Sequence, residues 1–312
     1  MTQLPPGYTM RAATSGDLAG VGEVLAAADR AEHGETTLSE EFIRAEWNRP
    51  RFDLATDTAV IVAEDGSVAA YGEAFDEATP DVVEGMGVVH PRRRRRGLGI
   101  ALLNAQERRA REQLRRRVKR VTLRTVVSGA DQAGARLVAA RGFRPVRTFF
   151  HMEIELTQPE RPVPPPDLAI RPYDMQRDEP VVYQVIEDAF RGHWGFADQS
   201  LEEWWQTQQG AGFDPDLCFL AEEGGEVMGA VIATEARDHG WINDLGVVSA
   251  HRHRGIGTLL LRRAFAALAE RGQRRALLNV DAENATGALG VYERAGMHVR
   301  RRWDVHQKEI GP

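Results

Sequence analysis

Two stretches of the chain have the residue types and spacing to hold an anion. One is His251–Gly257, HRHRGIG; the other, PRRRRRGLGI, runs from Pro91 to Ile100. Each follows an apolar run ending in Val-Val and opens a long amphipathic pattern, so each reads as a strand-to-helix turn. The first N–H groups of a helix lack internal acceptors and carry partial positive charge, and glycine lets a ligand approach the backbone. Gly255, Ile256, Gly257 and Thr258 therefore predict a phosphate or pyrophosphate pocket, with Arg252, His253 and Arg254 around it. Gly97, Leu98, Gly99 and Ile100 repeat the prediction, flanked by Arg94, Arg95 and Arg96. A nucleotide P-loop is excluded, because no Gly-Lys-Ser/Thr ending is present. A dinucleotide fingerprint is disfavoured, because Leu260 and Leu102 stand at its third glycine. His251 and His253 have His-x-His spacing, but no further ligand lies nearby in the sequence, and no metal is expected.

The elements that must position these turns occur twice. TAVIVAEDGSVAAYGEAF parallels LCFLAEEGGEVMGAVIAT, and EGMGVVHPRRRRRGLGI parallels NDLGVVSAHRHRGIGT. Asp65-Gly66 and Gly224-Gly225 are hairpin signals between alternating strands. Each half reads as a strand, one or two helices, a hairpin, a strand into the turn, a long helix, another strand, a short helix ending at Gly142 or Gly296, and closing strands. This predicts an α/β protein of two tandem domains, each a mixed, mostly antiparallel sheet flanked by helices. The proline-rich segment 157–167 reads as a stiff linker, which sets the expected domains at 1–156 and 168–312.

The 312 residues, 42% hydrophobic and 28% charged, suffice for two cores. No apolar run approaches the ~18 residues of a membrane span. The start MTQLPPGYTM has no signal-peptide pattern. The single cysteine, Cys218, lies in an apolar strand and reads as packing, which fits a reducing cytoplasm. Arginine clusters such as RRRRRG could suggest nucleic acid, but the net charge of −6 argues against such a partner, and none is expected; no membrane partner is expected either.

LGVVSAHRHRGIGTLLL followed by NVDAENATGALGVYERAGM resembles the Gcn5-related N-acetyltransferase superfamily, whose turn is Arg/Gln-x-x-Gly-x-Gly/Ala. Arg252, Gly255 and Gly257 meet that pattern, and so do Arg94, Gly97 and Gly99. The tandem layout resembles that of the mycothiol synthases. The resemblance implies acetyl-CoA as donor and an amine-bearing small molecule as acceptor. It places the pyrophosphate on Arg252–Thr258 and the pantetheine along Leu245, Gly246 and Val247, with Gly87, Val88 and Val89 as counterparts in the first half. It also implies that Asn284 holds the pantetheine arm and that Tyr292 protonates the leaving thiolate; the alternative for Tyr292 is packing on the sheet.

The base is harder to find. Counting back from Val247 by two puts Leu245, Asn243 and Trp241 on one face, and neither Asn243 nor Trp241 is a base. Asp244 points to the opposite face unless a bulge re-aims it. His193, His239, Glu235 and water remain candidates. The aromatic segment around His193 and Trp194 reads either as a core staple or as a lid over the acceptor, so His193, Trp194, Trp241 and Asn243 are the expected substrate contacts. In the first half Glu84 offers a base, but Val138 replaces the tyrosine, and Ala130, beside Asp131, replaces the asparagine. The expectation is an N-acetyltransferase acting by direct attack in a ternary complex, active in the second half. The alternatives are a non-catalytic acyl-CoA sensor and, with an open groove, acetylation of proteins.

Overall fold

A computed structural model describes residues 4–36, 38, 40–49, 51–76, 81–116, 120–157, 161–210, 212–236, 238–284 and 286–311. The chain forms two compact units. Unit 1 comprises Met1–Thr148 and Arg301–Pro312, and unit 2 comprises Phe149–Arg300.

Unit 1 begins with β1 (Tyr8–Arg11), α1 (Leu18–His33), α2 (Glu40–Trp47) and α3 (Leu54–Asp57). The apolar face of α1 recurs at Val21, Val24, Leu25 and Ala28, all buried, and Gly34 ends the helix in the left-handed region. Then come β2 (Thr58–Ala63), β3 (Val68–Asp76), β4 (Val82–Val89), α4 (Leu98–Arg116), β5 (Val121–Ser128) and α5 (Gln132–Ala140). β1 to β4 pair antiparallel in order, while β4 and β5 are parallel. α1 and α2 cover one face through Val21, Leu25, Ile43 and Trp47. α4 covers the other through Leu98, Ala101 and Leu102.

Strand β6 (Arg144–Glu155) follows, then β7 (Ala169–Pro172), α6 (Glu179–Phe190), α7 (Leu201–Gly210), β8 (Cys218–Glu223), β9 (Glu226–Glu235), β10 (Gly240–Val247), α8 (Ile256–Glu270), β11 (Arg275–Asp281), α9 (Ala288–Arg294) and β12 (His298–Ile310). Unit 2 repeats the plan, with β7 to β10 antiparallel and β10–β11 parallel. α6 packs on one face through Val182, Val185 and Ile186, with Cys218 buried beneath. α8 packs on the other through Ile256, Leu260, Ala264 and Phe265. Burial pushes the Cys218 thiol up to about 12, as expected of a packing residue.

The units do not coincide with the two halves of the sequence. Phe149–Glu155, from the end of the first half, pairs antiparallel with β11 in unit 2. Trp303–Ile310, from the end of the second half, pairs antiparallel with β5 in unit 1. The units thus divide the chain at 148 and 300, where the sequence suggests 157–167. The edges of β5 and β11 need a partner, and two repeats with similar last strands give no local signal of which edge each will take.

The exchanged strand carries a buried ion pair. Arg301 donates from Nη1 to Asp29 of α1 at 2.8 Å, and both side chains are 5% exposed or less. Arg301→Ala leaves Asp29 buried without its cation, which costs about 3–5 kcal/mol. Urea denaturation of the variant is expected to show that loss.

Candidate active site

The site of unit 2 starts where two parallel strands part. β10 and β11 pair only at Gly240↔Ala276 and Trp241↔Leu277, so the edge of Ile242–Val247 facing β11 is left open. On its other edge β10 remains paired with β9, except that the register skips between Ile242 and Asp244. Asn243 is the extra residue of a bulge. Gly246 lies against α6: a Cβ there would meet Ile186 Cδ1 at 3.0 Å and Ala189 Cβ at 3.1 Å.

The bulge changes which side chains face which way. Ile242, Leu245 and Val247 pack with Ile256 and Leu260 beneath α8. The step from 242 to 245 is three residues, where strict alternation allows two. Counting by two had grouped Leu245 with Asn243 and Trp241, and the structure separates them. Trp241, Asn243 and Asp244 instead line a cleft of about 280 Å³ with Ile186, Glu187 and Phe190 of α6, Phe196, Gln199, and Trp204, Thr207 and Gln208 of α7. The Asp244 carboxylate accepts a hydrogen bond from Gln208 Nε2 at 2.8 Å. Burial raises its pKa and outweighs that bond. A carboxylate stands where sequence alternation found no base, and Asn243 Oδ1 is tied to the Thr234 hydroxyl at 2.9 Å.

At the far end of β10 the turn has the expected form. His253 (φ 64°) and Gly255 (φ 80°) both adopt the left-handed region before α8. The N-cap is Gly255, which has no side chain to cap the helix, so the first amides are left for an acceptor. Arg252 Nε donates to the Val247 carbonyl at 3.3 Å, which fastens the turn to the strand. Arg254 pairs with Glu223 at 2.8 Å. A side chain at Gly257 would meet Val291 Cγ1 at 3.3 Å. The donor set suits a pyrophosphate. Asn284 Oδ1 accepts from the Thr286 amide at 2.8 Å and hydroxyl at 2.6 Å, which leaves its NH₂ as the group that could reach a ligand.

Tyr292 of α9 is buried in the same core as Leu245 and Val247. Burial, reinforced by the charge of Asp244, pushes its phenol up to about 12, so it is protonated at neutral pH. The other candidate bases are engaged in structure: His239 Nδ1 lies 2.8 Å from Asp238, and Glu235 is paired with Arg271 at 3.1 Å. His193 and Trp194 are not among the residues that line the cleft. His193 packs on Phe190 and Trp194 on Phe149. Burial, with Arg252 adding to it, lowers the His193 pKa. Glu187, Gln208 and Thr207 line the cleft without a signal in the sequence. They lie on helices α6 and α7, where polar residues read as a solvent face.

Unit 1 keeps the turn but differs around it. Arg95 (φ 60°) and Gly97 (φ 81°) repeat the conformations of His253 and Gly255, and Arg94 Nε reaches the Val89 carbonyl at 3.4 Å. Yet β4 stays paired with β5 as far as Met86↔Val126, so only Gly87, Val88 and Val89 lie past the last paired position. Glu84 is bridged to Arg124 at 3.0 Å. Val138 takes the place of Tyr292: its carbonyl accepts from Phe143 N as that of Tyr292 accepts from Met297 N. On the α1–α2 side, Trp47 Nε1 donates to the Tyr71 hydroxyl at 2.8 Å, and that hydroxyl donates to Glu73 at 2.6 Å. Arg49 bonds Glu73 at 3.1 Å and stacks 3.6 Å from the centre of the Phe75 ring.

Comparison with known proteins gives the family and the fold. The model of the acetyltransferase (GNAT) family matches residues 21–143 and again 180–297. The mycothiol acetyltransferase of Thermomonospora curvata is 33% identical, covering 88% of this chain and 89% of that protein. That of Thermobispora bispora is 32% identical over 94% and 95%. The crystal structure of a GCN5-related N-acetyltransferase from Sphaerobacter thermophilus matches with a TM-score of 0.88 at 33% identity, over 99% of this chain and 98% of that one. A tandem GNAT protein from the clavulanic acid biosynthesis pathway shares the fold, with a TM-score of 0.73 at 19% identity over 98% and 99%. A chain with two such turns, each opening a helix behind parting parallel strands, and with the family matched twice along its length, belongs to the GNAT acetyltransferase family as a tandem-domain N-acetyltransferase.

Proposed function

We propose that unit 2 transfers an acetyl group from acetyl-CoA to the amine of a small metabolite by direct attack in a ternary complex. The observation that carries this reading is the bulge at Asn243, which sets the Asp244 carboxylate in the wall of the cleft beside the open edge of β10. A small acceptor accords with a cleft of about 280 Å³, and with relatives named mycothiol acetyltransferase.

In this mechanism the chain binds the pyrophosphate with the amides at the start of α8 and pairs the pantetheine along Leu245–Val247. An N–H of the open edge near Val247 polarises the thioester carbonyl. Asp244 takes a proton from the acceptor ammonium, and the freed nitrogen lone pair forms the new C–N bond. The C–S bond breaks, the sulfur receives the phenolic proton of Tyr292, and the second proton of the nitrogen, acidic once the C–N bond has formed, restores the phenol. Gln208 holds Asp244 in place. Unit 1 supports a turn of the same conformation but has no acid at Val138, and the Trp47–Tyr71–Glu73–Arg49 network occupies its acceptor side.

Asp244 must be ionised to act, so turnover should rise with pH through its raised pKa. Asp244→Asn is expected to slow transfer by roughly 10²–10⁴-fold and to flatten that rising limb, with acetyl-CoA binding by calorimetry retained. An unchanged pH profile at wild-type rate would assign the proton to another group.

Tyr292→Phe removes only a hydroxyl and should also retain acetyl-CoA binding. When thiol release is followed, turnover should drop by about 10²–10⁴-fold. Wild-type turnover under rate-limiting chemistry would leave Tyr292 a packing residue.

The two turns are separable. Gly257→Glu puts a side chain and a negative charge into the pyrophosphate pocket and should abolish transfer. Gly97→Glu in unit 1 should leave most of it intact. The reverse pattern, with both variants folded by circular dichroism, would move the active site to unit 1.

A further inference from the structure

The acceptor cleft contains a carboxylate that the proton transfer does not use. Glu187 of α6 is 4% exposed and lines the cleft wall. Among the described residues its side chain makes no hydrogen bond. Burial raises its pKa, and the neighbouring charge of Asp198 raises it further. Arg191 offsets this in part, but its guanidinium is committed to Asp188 at 2.8 Å. A buried carboxylate without a partner is costly, and a cation brought beside it relieves the cost.

The rest of the lining points the same way. Among the described residues, those around the cleft include two carboxylates, Glu187 and Asp244, and no lysine, arginine or histidine. Phe190, Phe196, Trp204 and Trp241 add ring faces, which attract cations and stack on apolar chains. Asp244 is assigned to the reacting amine. Glu187 belongs to α6 and Asp244 to β10, so the two carboxylates come from different walls of the cleft.

We propose that Glu187 determines acceptor specificity by binding a second cationic group of the acceptor, so that the preferred substrates are diamines and molecules bearing a carboxylate are rejected. This rests on the acetyl-transfer reading of the same cleft. An acceptor carrying a carboxylate would meet two negative groups with no basic residue to compensate, whereas a second ammonium completes Glu187.

The test uses three probes of equal chain length: 1,5-diaminopentane, n-pentylamine and 5-aminopentanoate. Thiol release from acetyl-CoA is expected to give a kcat/KM for the diamine at least about tenfold above that for pentylamine, with 5-aminopentanoate the poorest. Glu187→Gln keeps the size and removes the charge. It should raise KM for the diamine with kcat nearly unchanged, and leave pentylamine unaffected. Its melting temperature should not fall, because an unpaired buried charge is removed. Equal use of diamine and pentylamine by the wild type, or a preference that survives Glu187→Gln, overturns the proposal. Calorimetric titration of each probe into the CoA-saturated protein separates this from the catalytic reading. Diamine binding that Glu187→Gln abolishes, without thiol release, keeps the specificity and rejects the acetyl transfer. Failure of the diamine to bind overturns the specificity itself.

Discussion

Everything in the site follows from the early parting of two parallel strands. A parallel ladder needs slanted, evenly spaced hydrogen bonds, and β10 and β11 sustain it only at Gly240 and Trp241. Past that point the edge of β10 is a row of donors and acceptors without a strand to satisfy them, and buried backbone groups do not stay unpaired cheaply. A ligand with an extended amide-bearing arm answers that need. The turn at Gly255 closes the same opening with helix amides, and the arginine at 252 pins it to the strand end. One opening therefore offers both halves of the proposed donor site, with the proposed acceptor cleft on the α6 side of the same strand.

The two units show how a duplicated fold can divide its roles. Their turns match in backbone conformation, including a left-handed residue that is not glycine, Arg95 in one and His253 in the other. Such a residue costs strain, so its survival in both copies says that the turn geometry is held by its surroundings. What differs lies beyond the turn. Unit 2 has small residues, Ala230 and Gly246, where α6 approaches the sheet. Unit 1 places Tyr71 and Glu73 on its α1–α2 side and fills that side with Trp47 and Arg49.

Outside the cleft, buried carboxylates are paired in both units, as Asp178 is with Arg171 in unit 2. In unit 1 the buried carboxylates are paired: Asp57 with Arg109, Asp29 with Arg301, and Glu73 with Arg49. In the cleft of unit 2, Asp244 has only a neutral amide as its partner among the described residues. Evolution tolerates such groups where a substrate completes them, because the penalty present in the empty protein is relieved on binding.

Residues close together in the chain encode the elements and the turns. The repeated element order, both hairpin turns, the two glycine turns and the place of Tyr292 before Gly296 all depend on residues close together in the chain, and all are present in the structure. Tertiary structure decided the rest. The bulge at Asn243 is a matter of register between β9 and β10, which alternation along one strand does not reveal, and it alone turns Asp244 into the cleft. Glu187 and Gln208 sit on two helices whose meeting over β10 no local pattern records. The exchange of last strands pairs residues far apart in the chain, Trp303–Ile310 with β5 and Phe149–Glu155 with β11. In two near-equivalent repeats, only the packing of the whole chain selects one strand edge over the other.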